Sequence, residues 1–256
     1  MLLFLFTAAL LAQVIAPNGV TNAASYASGF LSPGEIIAIF GQGLGPAQLV
    51  PLQLDQAGRI ATALVGVTVA IDGRPAPLLY VSAGQVGAIV PYGIGSVNPR
   101  VTVTYRGSTS PALTMAFADA QPAIFTLDSS GNGQAAAINQ DGSVNGSLNP
   151  ASKGAVISLY GTGEGNTNPG GIDGQLSNGT TARPVLPVSV TVGGFPATVL
   201  YAAAAPSQVA GLFQVNVRVP SEALSGPAVP VVLKIGNKSS PKSVTIAVCG
   251  SGTVGC

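Results

Sequence analysis

The sequence predicts an all-β protein that contains two tandem antiparallel β-sandwiches. Three observations predict this fold: apolar residues come in short β-branched runs, no long stripe has a helical period, and the second half of the chain repeats the first. Short runs bounded by Gly, Pro, Asn and Ser are typical of strands joined by tight turns. Helix should be scarce, because no window repeats its apolar residues every 3.6 positions.

The internal repeat is visible in matched segments. "SPGEIIAIFGQGLGP" at 32–46 corresponds to "SKGAVISLYGTGEGN" at 152–166. Farther along the chain, "PRVTVTYRGSTSPALTMAFA" corresponds to "VPVVLKIGNKSSPKSVTIAV". Each unit covers about a hundred residues and about seven short strands, the size of one antiparallel sandwich. Matching apolar positions predict the same strand order in both units.

The boundaries of the two units follow from where the repeat breaks. Pro122, a Ser pair and two glycines interrupt the strand pattern in "DAQPAIFTLDSSGNG". We therefore predict one domain at 17–126 and a second at 127–249. An apolar segment at 1–16 precedes them, and a Gly-rich tail at 250–256 follows.

Strand alternation predicts which face of each sheet is buried. Side chains of a strand point alternately to the two faces of its sheet, so residues two apart share a face. In the first unit, the predicted buried face consists of Val65, Val67, Val69 and Ile71, and the other face of Gly66, Thr68 and Ala70. In the second unit, Val188, Val190 and Val192 are opposed by Ser189 and Thr191.

The glycines of "GQGLG" at 41–45 are predicted to form a turn after a strand at 36–40. A dinucleotide site requires G-x-G-x-x-G at the start of a helix in a βαβ unit, and a phosphate loop requires Gly-Lys-Ser/Thr. Here the spacing is G-x-G-x-G, Pro46 follows, and no helical pattern comes next. The second copy keeps the glycines while its flanks change, which favours turns that require positive φ.

Composition excludes several functions. Only 7% of the 256 residues are charged and the net charge is +1, so no basic surface is available for nucleic acid. The chain has no histidine, which removes the imidazole of Ser-His and Cys-His nucleophiles and of most zinc sites. The acids are scattered, and Asp72, Asp141 and Asp173 stand beside glycines where Asp usually caps a turn. We therefore predict no enzymatic activity and no cofactor.

The N-terminal segment resembles a signal for export. "MLLFLFTAALLAQVIA" has an apolar core of signal-peptide length that is too short to span a bilayer. Small residues place a cleavage site after Ala12 or after Ala16, and Pro17 disfavours the second. No Lys or Arg follows Met1, and a buried N-terminal strand is the alternative. We expect a secreted or cell-surface protein without a transmembrane span.

The two cysteines, Cys249 and Cys256, enclose the tail "CGSGTVGC". Three of the six residues between them are glycines, so the tail can bend enough for a local disulfide. Pairing is the default for an exported protein, and a pair of free thiols in a frayed tail is the alternative. No metal site is predicted, because the spacing is wrong and other soft ligands are missing.

The segment "GEIIAIFGQGLG" resembles the first core strand of immunoglobulin-like IPT/TIG domains. The second copy has Glu164 at an apolar position of that motif. "NAASYASGFLSPGEIIAIFGQGLGP", "PLLYVSAGQVGAIVPYGI" and "ATVLYAAAAPSQVAGLFQVNVRVP" further resemble an uncharacterised domain family of acidobacterial secreted proteins. The resemblance covers about 18–248 and implies tandem immunoglobulin-like sandwiches that are secreted and non-catalytic.

Two weaker signals concern ligands. Asn139, Asp141, Ser143 and Asn145 alternate as in a calcium loop, but Ser152 replaces the terminal acid, which favours a hairpin turn. The glycosylation motif at Asn145 indicates a surface loop. Glycan binding requires exposed aromatic side chains, and Tyr26 and Phe30 are the main candidates. Packing at the edge of the sandwich is the favoured role for both.

The sequence thus predicts an extracellular structural or adhesion protein. Few lysines guard the strand edges, so self-association into a fibre by β-strand addition is one expected mode. Other expected partners are components of the cell surface or matrix. A carbohydrate-binding module is the alternative function.

We predict that Cys249 and Cys256 are joined in the exported protein. Cross-linking so short a loop should add at most about 2–3 kcal/mol to the free energy of unfolding, because little unfolded-chain entropy is removed. Labelling of thiols in non-reduced secreted protein should give no signal. Two reactive thiols would contradict the pairing.

Overall fold

The computed structural model describes residues 13–177 and 182–250. Every regular element in these ranges is a β-strand, which confirms the all-β prediction. The first half contains β1 (Val14–Asn22), β2 (Phe30–Leu31), β3 (Ile36–Gln42), β4 (Val50–Pro51), β5 (Ala63–Leu64), β6 (Val67–Ile71), β7 (Arg74–Pro75), β8 (Leu78–Val81), β9 (Gln85–Ile89), β10 (Arg100–Tyr105), β11 (Ser108–Thr109), β12 (Leu113–Thr114) and β13 (Ala116–Phe117).

The second half contains a corresponding set of strands. They are β14 (Ala123–Ile124), β15 (Gly133–Gln134), β16 (Ala137–Asn139), β17 (Ala151–Ser152), β18 (Val156–Thr162), β19 (Thr167–Asn168), β20 (Arg183–Pro184), β21 (Val188–Val192), β22 (Phe195–Ala204), β23 (Phe213–Arg218), β24 (Gly226–Ile235), β25 (Lys238–Ser239) and β26 (Val244–Cys249). No helix in the described ranges is long and apolar enough to cross a membrane.

The two halves share a strand order and a register. The first half has the order β1-β3-β9-β8 in one sheet and β10-β6 in the other; the second has β16-β18-β23-β22 and β24-β21. Ile37 pairs with Ala88 as Ile157 pairs with Val217. The pairing is antiparallel except for short parallel contacts of β13 with β2 and of β15 and β17 with β26.

The halves differ in how their two sheets are connected. In the first half β7 and β8 are separate, and the sheets remain apart. In the second half β22 is continuous from Phe195 to Ala204, so it pairs with β21 at its start and with β23 at its end. Proline explains the difference, because it cannot donate to a strand ladder. Pro77 lies between β7 and β8, whereas β22 has its one proline, Pro196, near its start.

Each half has its own apolar core. One cluster of buried side chains runs from Ile15 to Met115 and the other from Ala120 to Val248. The predicted alternation holds for Val67, Val69 and Ile71, which are fully buried. It is wrong for Val65, which is 54% exposed. Val65 and Gly66 form the two-residue turn between β5 and β6, and both have positive φ.

The domain boundaries stay a prediction, and two observations bear on them. β14 lies before the predicted division at 126/127, yet it pairs with β18 of the second half. Of the segment at 1–16, the described residues are 13–16. They belong to the first half, where Ile15 is buried and the Gln13 side chain donates to the Tyr105 carbonyl at 2.9 Å.

The predicted turns are confirmed for the later part of each glycine-rich stretch, whereas Gly41 and Gly161 lie within β3 and β18. Gly43 in the first copy and Gly163 in the second both have positive φ. The second turn also packs against the chain that joins the halves, because the Gln121 backbone nitrogen donates to the Gly163 carbonyl at 2.9 Å. A side chain at Gly163 would overlap the Gln121 carbonyl.

We predict that Val65→Asn stabilises the protein. Val65 has φ 44°, where a β-branched side chain is strained and Asn is tolerated. The free energy of unfolding in urea should rise by about 1 kcal/mol. Val97→Asn is the matched control, since Val97 is 78% exposed and lies outside any positive-φ turn. Equal effects of the two substitutions would contradict the assignment of strain to Val65.

Candidate functional site

The suspected calcium loop is a turn. Asp141 Oδ1 accepts hydrogen bonds from the Ser143 backbone nitrogen at 2.9 Å and from its hydroxyl at 2.7 Å. Asn145 does not lie on the surface as its glycosylation motif suggested. It is fully buried, and its amide pairs with both backbone groups of Ala247 at 2.8 and 2.9 Å. The Asn145 side chain thereby pairs with the backbone of β26 as the backbone of a neighbouring strand would.

The described cysteine lies at the end of β26. Cys249 Sγ is 3.8 Å from the Ser152 hydroxyl of β17, the strand that pairs with this end of β26. Cys256 lies outside the described residues. The pairing of Cys249 with Cys256 therefore remains a prediction.

Tyr26 and Phe30 are both 39% exposed and both contact neighbours. Lys238 Nζ lies 4.6 Å above the Phe30 ring, so this side chain contacts the second half. The Tyr26 ring lies 6.2 Å from that of Phe40. Phe40 pairs with Gln85 across β3 and β9, and the Gln85 amide donates to the Tyr80 hydroxyl at 2.7 Å.

These contacts define an aromatic face on the outer side of the sheet β3-β9-β8. It consists of Tyr26, Phe40, Tyr80 and Gln85. The Tyr80 ring lies directly on Gly87, because a Cβ at that glycine would overlap the ring. The rings are partly exposed, and the Tyr hydroxyl groups and the Gln85 amide lie beside their apolar surface. Sugar rings contact this combination of groups.

A second site lies between the halves and was not predicted from the sequence. We call it the junction. Its members are Asn22, Glu35, Tyr92, Thr162, Glu164 and Asp173.

Tyr92 connects the two halves through its ring, hydroxyl and backbone. Its ring is enclosed by Gly34 of the first half and Gly171 of the second, since a Cβ at either glycine would overlap it. Its hydroxyl donates to Glu164 Oε1 at 3.2 Å, and Asp173 Oδ1 accepts from its backbone nitrogen at 2.8 Å. The expectation that Asp173 caps its own turn is therefore wrong. Asp72 likewise accepts from the Arg100 nitrogen, outside its turn, at 2.8 Å.

Glu35 is held by groups near the start of β3. Its Oε1 accepts from the Asn22 amide at 2.9 Å, and its Oε2 accepts from the Ser32 backbone nitrogen at 2.8 Å. The Asn22 amide also donates to the Gln121 carbonyl at 3.0 Å, where the chain leaves the first half. Glu35 thus orders the residues that meet the linker.

Thr162 joins the backbones of the two halves. Its hydroxyl accepts from the Ile36 nitrogen at 2.8 Å and donates to the Gly211 carbonyl at 2.8 Å. A backbone bond of 2.8 Å from Ile60 to Gly174 adds a further contact between the halves. A hydroxyl can both donate and accept, so Thr162 satisfies two buried groups that water cannot reach.

Burial changes the ionisation of the junction. Burial, with a smaller contribution from the Glu164 carboxylate, raises the pKa of Glu35 to about 8 despite the hydrogen bonds that lower it. Burial also raises the pKa of Glu164 to about 8. The pKa of Tyr92 is well above its ordinary value because of burial and the neighbouring Glu164, so its hydroxyl remains a donor.

A signal for the junction was present in the repeat. When the two copies are aligned by their shared register, Glu35 is equivalent to Ala155, Glu164 to Leu44 and Tyr92 to Ser221. Leu44 is fully buried in the first core, whereas Glu164 occupies the junction. A polar residue in only one of two otherwise matched copies indicates a role outside the shared fold.

Comparison with known proteins supports the fold. Residues 20–117 match the family model of the IPT/TIG domain, which confirms that resemblance for the first half. Together with the all-β structure, the match shows an immunoglobulin-like sandwich fold. No curated protein sequence matches the chain.

Several solved structures show a weak similarity to this chain. The SGBP-B protein of a Bacteroides ovatus mixed-linkage glucan utilization locus is 14% identical, with a TM-score of 0.36, over 86% of this chain and 43% of that one. SGBP-B from a Bacteroides uniformis xyloglucan utilization locus is 12% identical, with a TM-score of 0.26, over 91% and 49%. The surface layer protein SbsC, domains 4–9, is 16% identical, with a TM-score of 0.20, over 95% and 31%. This chain spans less than half the length of each.

We predict that the free energy of unfolding falls as the pH rises from about 5 to 8. Folded Glu35 and Glu164 keep a proton up to a pKa of about 8, whereas unfolded glutamates lose it near 4.5. Unfolding therefore releases protons in this window, so higher pH favours it. Urea unfolding should show a slope of up to about 1.4 kcal/mol per pH unit for each group.

Glu164→Gln should reduce this slope and stabilise the protein at pH 8. Glutamine has the shape of the protonated side chain and can still accept from the Tyr92 hydroxyl. Glu222→Gln is the control, because Glu222 is exposed and its pKa is lowered, which leaves it ionised throughout the window. A wild-type stability that is flat from pH 5 to 8 would show that the two carboxyl groups titrate normally.

Proposed function

We propose that the chain is a non-catalytic extracellular module in which two immunoglobulin-like sandwiches act as one rigid structural or adhesive unit. The junction is the observation that carries this proposal. Side chains of both halves are buried in it, and hydrogen bonds donated by Tyr92, Ile36 and Ile60 cross it. Separating the halves would expose Glu35 and Tyr92 and break these bonds.

Burial of polar groups makes the junction specific. A buried polar group without a hydrogen-bond partner destabilises the folded protein by roughly 1–3 kcal/mol. A different arrangement of the halves would leave several such groups unpaired and would therefore be less stable. The Tyr92 ring contacts the backbone at Gly34 and Gly171, where any side chain would overlap it. The ring therefore fits between the halves in this position. These constraints favour a fixed angle between the sandwiches, as a spacer or adhesin requires.

The position of β1 bears on where an exported chain would be cleaved. Cleavage after Ala16 would remove Val14 and Ile15, which pair with Gln42 and Gly41 of β3. Cleavage after Ala12 leaves the strand whole. The sheet therefore favours Ala12 as the last residue of a signal segment.

The sheet edges favour a solitary module over a fibre subunit. Strand addition needs a long row of unpaired backbone groups. Edge strands β4, β5 and β11 of the first half have 2 residues each. The longer edge strand β1 contains Pro17, and its pairing with β3 is interrupted between Ile15 and Val20.

The aromatic face favours carbohydrate binding as a second candidate function. Tyr26, Phe40 and Tyr80 can stack on sugar rings, while Gln85 can bond to hydroxyl groups. Tyr26→Ala should weaken retention on an insoluble polysaccharide that binds the full chain, whereas Leu148→Ala, 91% exposed in another loop, should not. Equal retention of both variants would exclude the aromatic face as the binding surface.

Light scattering combined with small-angle X-ray scattering tests the rigid module. We expect a monomeric mass and a profile that one orientation of the halves reproduces. Tyr92→Ala should broaden the distribution of orientations, because it removes the ring and the bond to Glu164. Tyr80→Ala is the control, since Tyr80 also packs on a glycine, Gly87, but within one sheet.

Two outcomes would overturn the proposal. A wild-type profile that requires many orientations would show that the junction does not fix the halves. A mass that grows with concentration, and returns to the monomer on deletion of 1–12, would instead favour the fibre.

A further inference from the structure

A pocket of about 170 Å³ lies beside the junction in the second half. Its walls are largely apolar, with Ile172, Ala182, Ala204 and Ala210 among the lining residues. Its polar lining residues are Tyr92, Glu164, Thr167, Gln175 and Ser177. The pocket is therefore a small apolar space with an acidic group on one side.

Glu164 has unused hydrogen-bonding capacity in this wall. Its Oε1 accepts from the Tyr92 hydroxyl, whereas its buried Oε2 has no hydrogen-bond partner among residues 13–177 and 182–250. The side chain is only 2% exposed. Within the described ranges the one ion pair joins Arg59 to Asp55, so no basic side chain there neutralises Glu164.

We propose that this pocket binds a primary ammonium group on a short aliphatic stem. The ammonium would donate to Glu164 Oε2 and neutralise the carboxylate, and the stem would lie against the apolar walls. Such a group can come from a free alkylamine or from a lysine side chain of a partner protein. The inference rests on the proposed rigid module, because Tyr92 of the first half lines the pocket together with residues of the second. Scattering tests the module and the titrations below test the pocket, so the two can fail separately.

The size and the walls of the pocket fit this ligand. A cavity of about 150 Å³ accommodates benzene, so 170 Å³ suits a ligand of about six heavy atoms. Alanine and isoleucine walls gain free energy from covering the methylene groups of the stem. A buried carboxylate attracts a cation more strongly than a neutral donor, because the charge is poorly screened there.

Binding should depend on pH in a defined direction. The ionisable groups that act on Glu164 and Tyr92 are Glu35 and Asp173, and both are acidic. Burial raises the pKa of Glu164 to about 8, so the free pocket holds a neutral carboxyl at pH 6. An ammonium ligand must displace that proton, and its affinity should rise at least tenfold from pH 6 to 8.5.

Titrations of the full chain followed by NMR test the inference, with n-butylammonium, n-butanol and Nα-acetyl-lysine amide as probes. We expect n-butylammonium to bind with a dissociation constant in the millimolar range at pH 8.5 and n-butanol to bind at least tenfold more weakly. Binding of only one amine would assign the source: n-butylammonium for free amines, the lysine amide for a partner protein. Binding of neither amine would overturn the proposal.

Three variants locate the binding. Glu164→Gln keeps the shape of the side chain and removes the charge, and Ala210→Leu fills the pocket while Glu164 remains. Each should lower the affinity for n-butylammonium at least tenfold, whereas Glu222→Gln should leave it unchanged. Equal affinity of butanol and butylammonium, or unchanged binding in both pocket variants, would overturn the inference. Two variants are used so that failure of either to fold leaves a test.

Discussion

The position of Tyr92 between Gly34 and Gly171 is the contact on which the arrangement of the molecule depends. The ring follows a strand of the first half and inserts against a loop of the second. Its hydroxyl and backbone nitrogen both donate to acids of the second half. Each sandwich has its own apolar core, and a third cluster of buried side chains, Ile36, Ile60 and Ile89, is packed by residues of both halves.

The junction buries two carboxyl groups, and no basic side chain in the described part of the chain forms an ion pair with either. Desolvation destabilises a charged carboxylate by more than its hydrogen bonds stabilise it, so the protonated form has the lower free energy. Three hydrogen bonds favour the charged form of Glu35 and still leave its pKa near 8. A protein with such a pair is more stable at acidic pH than at neutral or alkaline pH.

The repeat explains how one fold supplies two different surfaces. The first copy uses Leu44 to fill its core, while the second uses Glu164 at the same position to form the junction and the pocket. The first copy carries the aromatic face on its β3-β9-β8 sheet. In the second copy, the equivalent of the Tyr80 pair is Tyr201 opposite Asn216, whose side chain leaves no flat glycine surface beneath the ring. Shared strands thus define the scaffold, and unshared residues define what it can contact.

The sequence by itself determined the all-β class, the repeat and most of the buried faces. Alternation identifies the buried face of a strand such as the one with Val67, Val69 and Ile71, because the pleat of a strand fixes which side chains share a face. Alternation failed at Val65, where the Gly that follows turns the chain. Only the tertiary structure decided that Asn22, Tyr92, Glu164 and Asp173 meet. They are far apart in the chain, and their meeting depends on how two sandwiches pack, which no local period specifies.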